Sequence, residues 1–246
     1  MTSTLSVQLY SVRDAFAADP TDTLRRLAAI GFTQVEPYGV TQNADVLRKG
    51  LPEHGLTAPT AHAQLIGVDQ DPVFAVAAEC GIGVVIDPYV GAEKWRDPAD
   101  VAATATALNE AAAVAARHGV RVGYHNHWWE LESRIDGRSA LEVFVDQLDP
   151  AVVLEVDTYW ATAGGEDAPA LLRRLGAKVH AIHVKDGGLA TDGTGQLPAG
   201  RGVVPVADVL AAAPQALRVI EFDAYDGDVF EGIAASLAYF SDGADR

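Results

Sequence analysis

The chain has 246 residues, 49% of them hydrophobic and 21% charged, with a formal net charge of −16 at pH 7. That length buries one sizeable core, and the acidity counts against nucleic acid as a partner. No apolar run approaches the ~20 residues of a membrane span, and the single Cys80 excludes an intramolecular disulfide.

With no basic, apolar leader at the N-terminus, the cytoplasm is the expected location. Leu5–Tyr10 reads as a first strand. Asp19 as N-cap and Pro20 at the first helical position then open a helix over Thr21–Ile30, which stops at Gly31. Phe32–Glu36 follows as a strand. The unit recurs: a helix, a glycine and a β-rich run appear at His54-Gly55, Cys80-Gly81, His118-Gly119 and Leu175-Gly176. Glycine there takes the left-handed conformation that ends a helix. Pro52 interrupts one of these helices, and Cys80 reads as a small buried residue closing another. The longest helix is expected over Pro98–Arg117 and the last over Asp228–Tyr239.

Val152–Asp157 and Leu217–Phe222 complete eight strand candidates, beginning near residues 5, 32, 57, 82, 120, 152, 178 and 217. Repeated βα units imply parallel strands joined by right-handed crossovers. Eight of them fit an α/β (β/α)8 TIM barrel, a single domain over residues 1–246, better than an open doubly wound sheet. The open sheet would carry a glycine-rich phosphate loop after its first strand, where this chain reads SVRDAFAADP. The glycine-rich Gly187–Arg201 segment is expected to be an active-site flap, mobile because few apolar residues anchor it.

In such a barrel, catalytic groups sit at the C-terminal strand ends. Those ends read Gln8 and Tyr10 with Arg13 close behind, Glu36, His62, Asp87, His125 and His127, Glu155 and Asp157, His183 and Lys185, and Glu221 and Asp223. One polar strand end is ordinary. Eight of them carrying imidazoles and carboxylates describe a pocket. Within GVRVGYHNHWWE, His125 and His127 share a strand face. His125, Asp157, His183 and Glu221 form a mixed nitrogen and oxygen set suited to one divalent ion, Mn2+, Co2+, Zn2+ or Mg2+. Gln8, Tyr10, Glu36, His62 and His127 are expected to contact substrate. Lys185, on the face of His183, either holds a substrate oxygen or snorkels to the surface. Arg13 either grips an anionic group or pairs with an acidic neighbour. Trp128, Trp129, Tyr159 and Trp160 cluster after the fifth and sixth strands, where aromatic faces stack on sugar or pack between loops or the subunits of a homo-oligomer. Trp160 is the one assigned to substrate.

The pieces VQLYSVRD, VEPYG, YHNH, LEVDTYW, HAIHVKD and VIEFD, in that order, resemble the sugar phosphate isomerase/epimerase family. It belongs to the xylose isomerase-like TIM-barrel superfamily, which also holds inosose dehydratases, ketose 3-epimerases and endonuclease IV. The resemblance covers nearly the whole chain. It implies a small sugar-derived substrate, metal binding by Asp157, His183 and Glu221, and Glu221 as a base. Epimerases of the superfamily end the fifth strand with a glutamate that binds metal and moves a proton. His125 stands there, as in the YH-x-H pattern of the inosose dehydratase-like branch. His125 is then a ligand or a base, with Glu130 as the alternative second base. Trp160 occupies the place of a histidine ligand of the endonuclease branch, which counts against DNA repair. The expected function is an isomerase or epimerase of a sugar, sugar phosphate or keto-sugar, working through a metal-stabilised enediolate. The alternatives are a lyase of the inosose dehydratase type, acting on a keto-sugar or cyclitol, and a sugar-binding barrel without turnover.

Overall fold

A computed structural model describes residues 5–241, so the expected domain extends past the described residues at both ends. The strands are β1 (Leu5–Val7), β2 (Thr60–His62), β3 (Val84–Asp87), β4 (Arg121–His125), a hairpin of β5 (Arg134–Ile135) and β6 (Arg138–Ser139), β7 (Val153–Asp157), β8 (Val179–Val184), a second hairpin of β9 (Asp186–Gly187) and β10 (Gln196–Leu197), and β11 (Leu217–Ile220). Seven of them form one parallel sheet in the order β1-β11-β8-β7-β4-β3-β2.

Residues 34–38 close that sheet into a ring. Gln8 bridges Glu36, Gln34 bridges Thr57 and Tyr38 bridges His62, all in parallel. The Glu36 N–H reaches Val7 O at 2.8 Å on one side, and the Val35 N–H reaches Thr57 O at 2.9 Å on the other. The strand expected over Phe32–Glu36 is thus present as separate bridges, shifted toward Tyr38, and Pro37, just past its expected end, has no N–H to give a ladder. The result is the eight-stave α/β barrel.

Helices alternate with the staves. Asp19 Oδ1 accepts the Asp22 N–H at 2.9 Å to start Pro20–Ile30, and Gly31, at φ 121°, ends it. The long helix is Pro98–Ala116 and the last is Val229–Ser241. Pro52 lies in the last turn of Ala44–Glu53 instead of interrupting it, and Cys80 is half-buried at the end of Asp71–Glu79. No helix among the described residues is long and apolar enough to cross a membrane.

The main core lies between staves and helices, while Val84, Ile86 and Val153 form a small separate cluster. Gly123 leaves space for this plug, since a Cβ there would lie 2.9 Å from Ile86 Cγ1. Strand alternation then dictates what stands beyond it. Two residues on from Gly123 comes His125, and two on from Val153 comes Glu155, paired with each other in register.

The flap is anchored more firmly than its glycines suggest. β10 pairs antiparallel with β9, Pro198 and Ala199 are buried, and Gln196 Nε2 donates to Asp223 Oδ2 at 2.8 Å. The expectation of few anchors is corrected: short side chains are buried there because the segment folds back on its own stave.

Candidate active site

The floor of the site is assembled from stave ends. β2 supplies His62, β4 His125, β7 Glu155 and Asp157, and β8 His183; Glu221 follows β11, and Glu36 comes from residues 34–38. Glu155 Oε2 is the hub, 2.6 Å from His62 Nε2, 3.0 Å from His183 Nε2 and 3.2 Å from His125 Nδ1. Glu36 Oε1 accepts from Gln8 Nε2 at 2.8 Å and lies 2.8 Å from His183 Nε2. The other His183 nitrogen, Nδ1, is 2.8 Å from Glu221 Oε2. Lys185 Nζ sits 2.5 Å from Glu221 Oε2 and 2.7 Å from both Asp157 Oδ2 and Asp223 Oδ2. Charges this deep persist only because each faces an opposite partner.

The same arrangement sets the protonation states. Burial opposes the charge of His183, but Glu155 and Glu221 outweigh it and hold its pKa well above the ordinary imidazole value. Burial likewise opposes a charged His62, and Glu36 and Glu155 reverse the effect and raise it. Burial opposes the Lys185 ammonium, yet Asp157, Asp223 and Glu221 push its pKa well up. Glu155 and Glu221 are held well below the usual carboxylate range against burial, the first mainly by His183 and His62, the second by His183 and Lys185. His125 is pulled well below 6.5 by burial and then by His183. His127 falls to about 4, through burial and the Lys185 charge.

A cleft of about 960 Å³ opens over this floor. His62, His125, His127, Glu221 and Asp223 line its depth, and Tyr10, Tyr38, Gln42, Gln64, Val68 and Tyr89 are among its walls. His127 stacks on Trp129 at 4.3 Å and 6°, which fixes its ring in the lining.

The remaining candidates fall in different places. Gln8 is buried behind Glu36, and Tyr10 stands at the mouth. Arg13 is outside the lining, with its guanidinium 4.6 Å from the Tyr10 ring and a 3.1 Å bond to Tyr10 O. Lys185 is 1% exposed, so it does not snorkel outward; Trp160 is buried too, its ring 5.3 Å from Lys185 Nζ. The structure does not bring Glu130 into the cleft. Its Oε1 accepts from Tyr124 OH at 2.7 Å and its Oε2 from the His127 N–H at 2.9 Å, so it props the loop that carries His127. Asp87 accepts the N–H groups of Leu65, Ile66 and Tyr89 and shapes the walls instead of the floor. The sequence marks Glu155 only as a polar strand end. Its central place follows from the two-residue spacing to Asp157, which puts both on one strand face.

His125, Asp157, His183 and Glu221 each offer a donor atom, all within 4.8 Å of one another; His62, His125, Glu155 and His183 do the same. Two imidazoles with two carboxylates suit a first-row divalent ion. Glu36 Oε2 and Glu155 Oε1 are buried without hydrogen-bond partners, which leaves acceptor capacity beside that set.

A closed parallel barrel with its polar groups gathered at the C-terminal stave ends has the architecture of a barrel enzyme. Residues 24–216 match the family described as xylose isomerase-like TIM barrel, and the chain belongs to that family. Among solved structures it is similar to a sugar phosphate isomerase/epimerase from Parabacteroides distasonis, at 20% identity, covering 100% of this chain and 96% of that one with a TM-score of 0.83. It is also similar to the probable 3-DHS dehydratase AsbF from Bacillus anthracis, at 14% identity over 96% and 98% of the chains, TM-score 0.75. The IOLI protein with a bound zinc atom matches at 14% identity over 97% of both chains, TM-score 0.72. No curated protein matches the chain.

Proposed function

We propose that this chain is an isomerase or epimerase of a sugar or keto-sugar that moves a proton at a carbon next to a carbonyl. The observation that carries the reading is the convergence of donor atoms of His125, Asp157, His183 and Glu221 within 4.8 Å, with His125 and Glu221 lining the cleft and Asp157 and His183 buried behind them. Asp157, Glu221 and His183, the last after giving up its proton, would hold a divalent ion, which would make the proton on the hydroxyl-bearing carbon beside a carbonyl easier to remove. Glu221 lines the cleft and, with its lowered pKa, is ionised through the neutral range. It takes the proton and leaves an enediolate. His62, also in the lining and with its pKa raised by its carboxylate neighbours, faces the negative charge that develops. His125, neutral and within the lining, serves as the second proton carrier. Return of the proton to the neighbouring carbon isomerises, and return to the opposite face epimerises.

Metal analysis together with solvent exchange tests the proposal. Protein loaded with Mn2+, Co2+ or Zn2+ should retain the ion and should transfer deuterium from solvent into a keto-sugar. Glu221→Gln should slow that exchange by about 10²–10⁴-fold. Loss of water in place of exchange would move the chain to the lyase class. Neither a retained ion nor exchange across a panel of keto-sugars would leave a binding barrel.

A further inference from the structure

Barrels of this architecture that act on phosphorylated substrates commonly seat the phosphate in the loops after the last two staves. Here five backbone donors of those loops are already engaged. The carboxylate of Asp186 accepts the N–H groups of Gly187 at 2.8 Å, Gly202 at 2.8 Å and Val204 at 2.9 Å. After β11, the Phe222 N–H goes to Ser11 Oγ and the Asp223 N–H to Gln196 Oε1. An internal carboxylate thus takes three amides that could otherwise have faced a phosphate.

The cleft offers no substitute. Among the described residues, its lining contains no lysine or arginine, while Asp69, Glu221 and Asp223 all belong to it. Lys185 is enclosed by three carboxylates, and Arg13 is committed to Tyr10 outside the lining. A divalent ion would add positive charge at the floor, where the reacting oxygens lie, and none at the mouth.

The mouth presents apolar rings. Of the five large hydrophobic side chains exposed among the described residues, three, Tyr10, Val68 and Tyr89, line this one cleft, which marks it as a contact surface. Tyr10 meets Tyr38 edge-on at 5.5 Å, and Tyr89 meets Trp129 at 5.5 Å, so neighbouring rings hold both in place. The volume, about 960 Å³, stands near the top of the ~300–1,000 Å³ range of small-molecule pockets, more than one sugar ring needs.

We infer that the cleft takes an unphosphorylated reducing disaccharide, with its reducing sugar on the floor and its second ring against the tyrosines of the mouth. This rests on the sugar reading above and specifies its substrate class. A reducing disaccharide keeps the open-chain carbonyl that proton transfer requires, and its far ring presents CH groups that suit aromatic faces.

Calorimetric titration of the metal-loaded protein with cellobiose, lactose and maltose, with glucose, and with maltose 6′-phosphate tests this. At least one neutral disaccharide should bind about tenfold or more tightly than glucose, and maltose more tightly than its phosphate. Tyr89→Ala removes a largely exposed ring, so the fold should hold. It should weaken disaccharide binding about threefold to tenfold, and glucose binding by less. Val68→Lys, which adds a cation to the wall, should narrow the gap between maltose and its phosphate. Tighter binding of the phosphate, or no binding by any neutral disaccharide, overturns the inference. Disaccharide binding without solvent exchange would sink the isomerase reading and leave this one standing. Exchange into a sugar phosphate alone would do the reverse.

Discussion

Glu130 is a carboxylate whose charge the fold governs from outside the cleft. Two hydrogen bonds favour its ionised form, but burial outweighs them and lifts its pKa to about 8 from an ordinary 4.5. Between those two values the folded protein holds a proton that the unfolded chain has released. Stability should therefore fall as pH rises through this window, by at most about 1.4 kcal/mol per pH unit, and the slope should end above it. Glu130→Gln keeps the shape and removes the titration, so urea midpoints followed between about pH 5 and 8 should lose that slope. The same variant separates the two candidate second bases. Because Glu130 supports His127 without lining the cleft, solvent exchange should persist within about tenfold of the parent. A loss of about 10²–10⁴-fold would make Glu130 the proton carrier after all.

Among the elements, the segment after β8 shows how one buried side chain organises a loop. Asp186 is fully buried and holds three backbone amides, two of them sixteen and eighteen residues further along the chain. Asp186→Ala should cost about 2–4 kcal/mol by leaving those donors unpaired. Hydrogen exchange should then accelerate at Gly202 and Val204. In the parent protein the exposed stretch around Thr191–Gly195 should exchange faster than either of them. Much of this architecture is legible in the sequence, because Pro20–Ile30, Ala44–Glu53, Asp71–Glu79, Pro98–Ala116 and Ala168–Leu175 each run into a glycine within three residues, and the seven sheet strands end in, or are followed by, a polar residue. The helix starts at Asp19-Pro20 and Asp97-Pro98 can be read directly from capping chemistry. The flap's anchoring is less legible, since Asp186 looks like any loop aspartate until the distant amides arrive. Glu155 is hidden for a similar reason. It sits inside an apolar run, and only the closure of the barrel brings His62, His125 and His183 around it. Gln64 and Tyr89 lie on loops, where no periodicity says which way a side chain turns.

At the scale of the whole molecule, the barrel is closed unevenly. Seven staves are joined by ladders, whereas residues 34–38 are joined to their neighbours by separate bridges. The side chain that spans this seam is Glu36, tied to Gln8 on one stave and to His183 on another. The floor of the active site therefore doubles as the clasp of a hoop. Whatever ligand or ion settles the floor should slow amide exchange at Val35, Glu36 and His62, because their N–H bonds cross the seam. Unclasped, the hoop becomes an open sheet whose bare rims, β1 and β2, can add strands from another molecule. Glu36→Ala should thus do more than impair catalysis. On heating it should precipitate earlier than the parent, while ligand should raise the soluble fraction of the parent and fail to rescue the variant. Occupancy of the site becomes a determinant of how long the protein survives in solution.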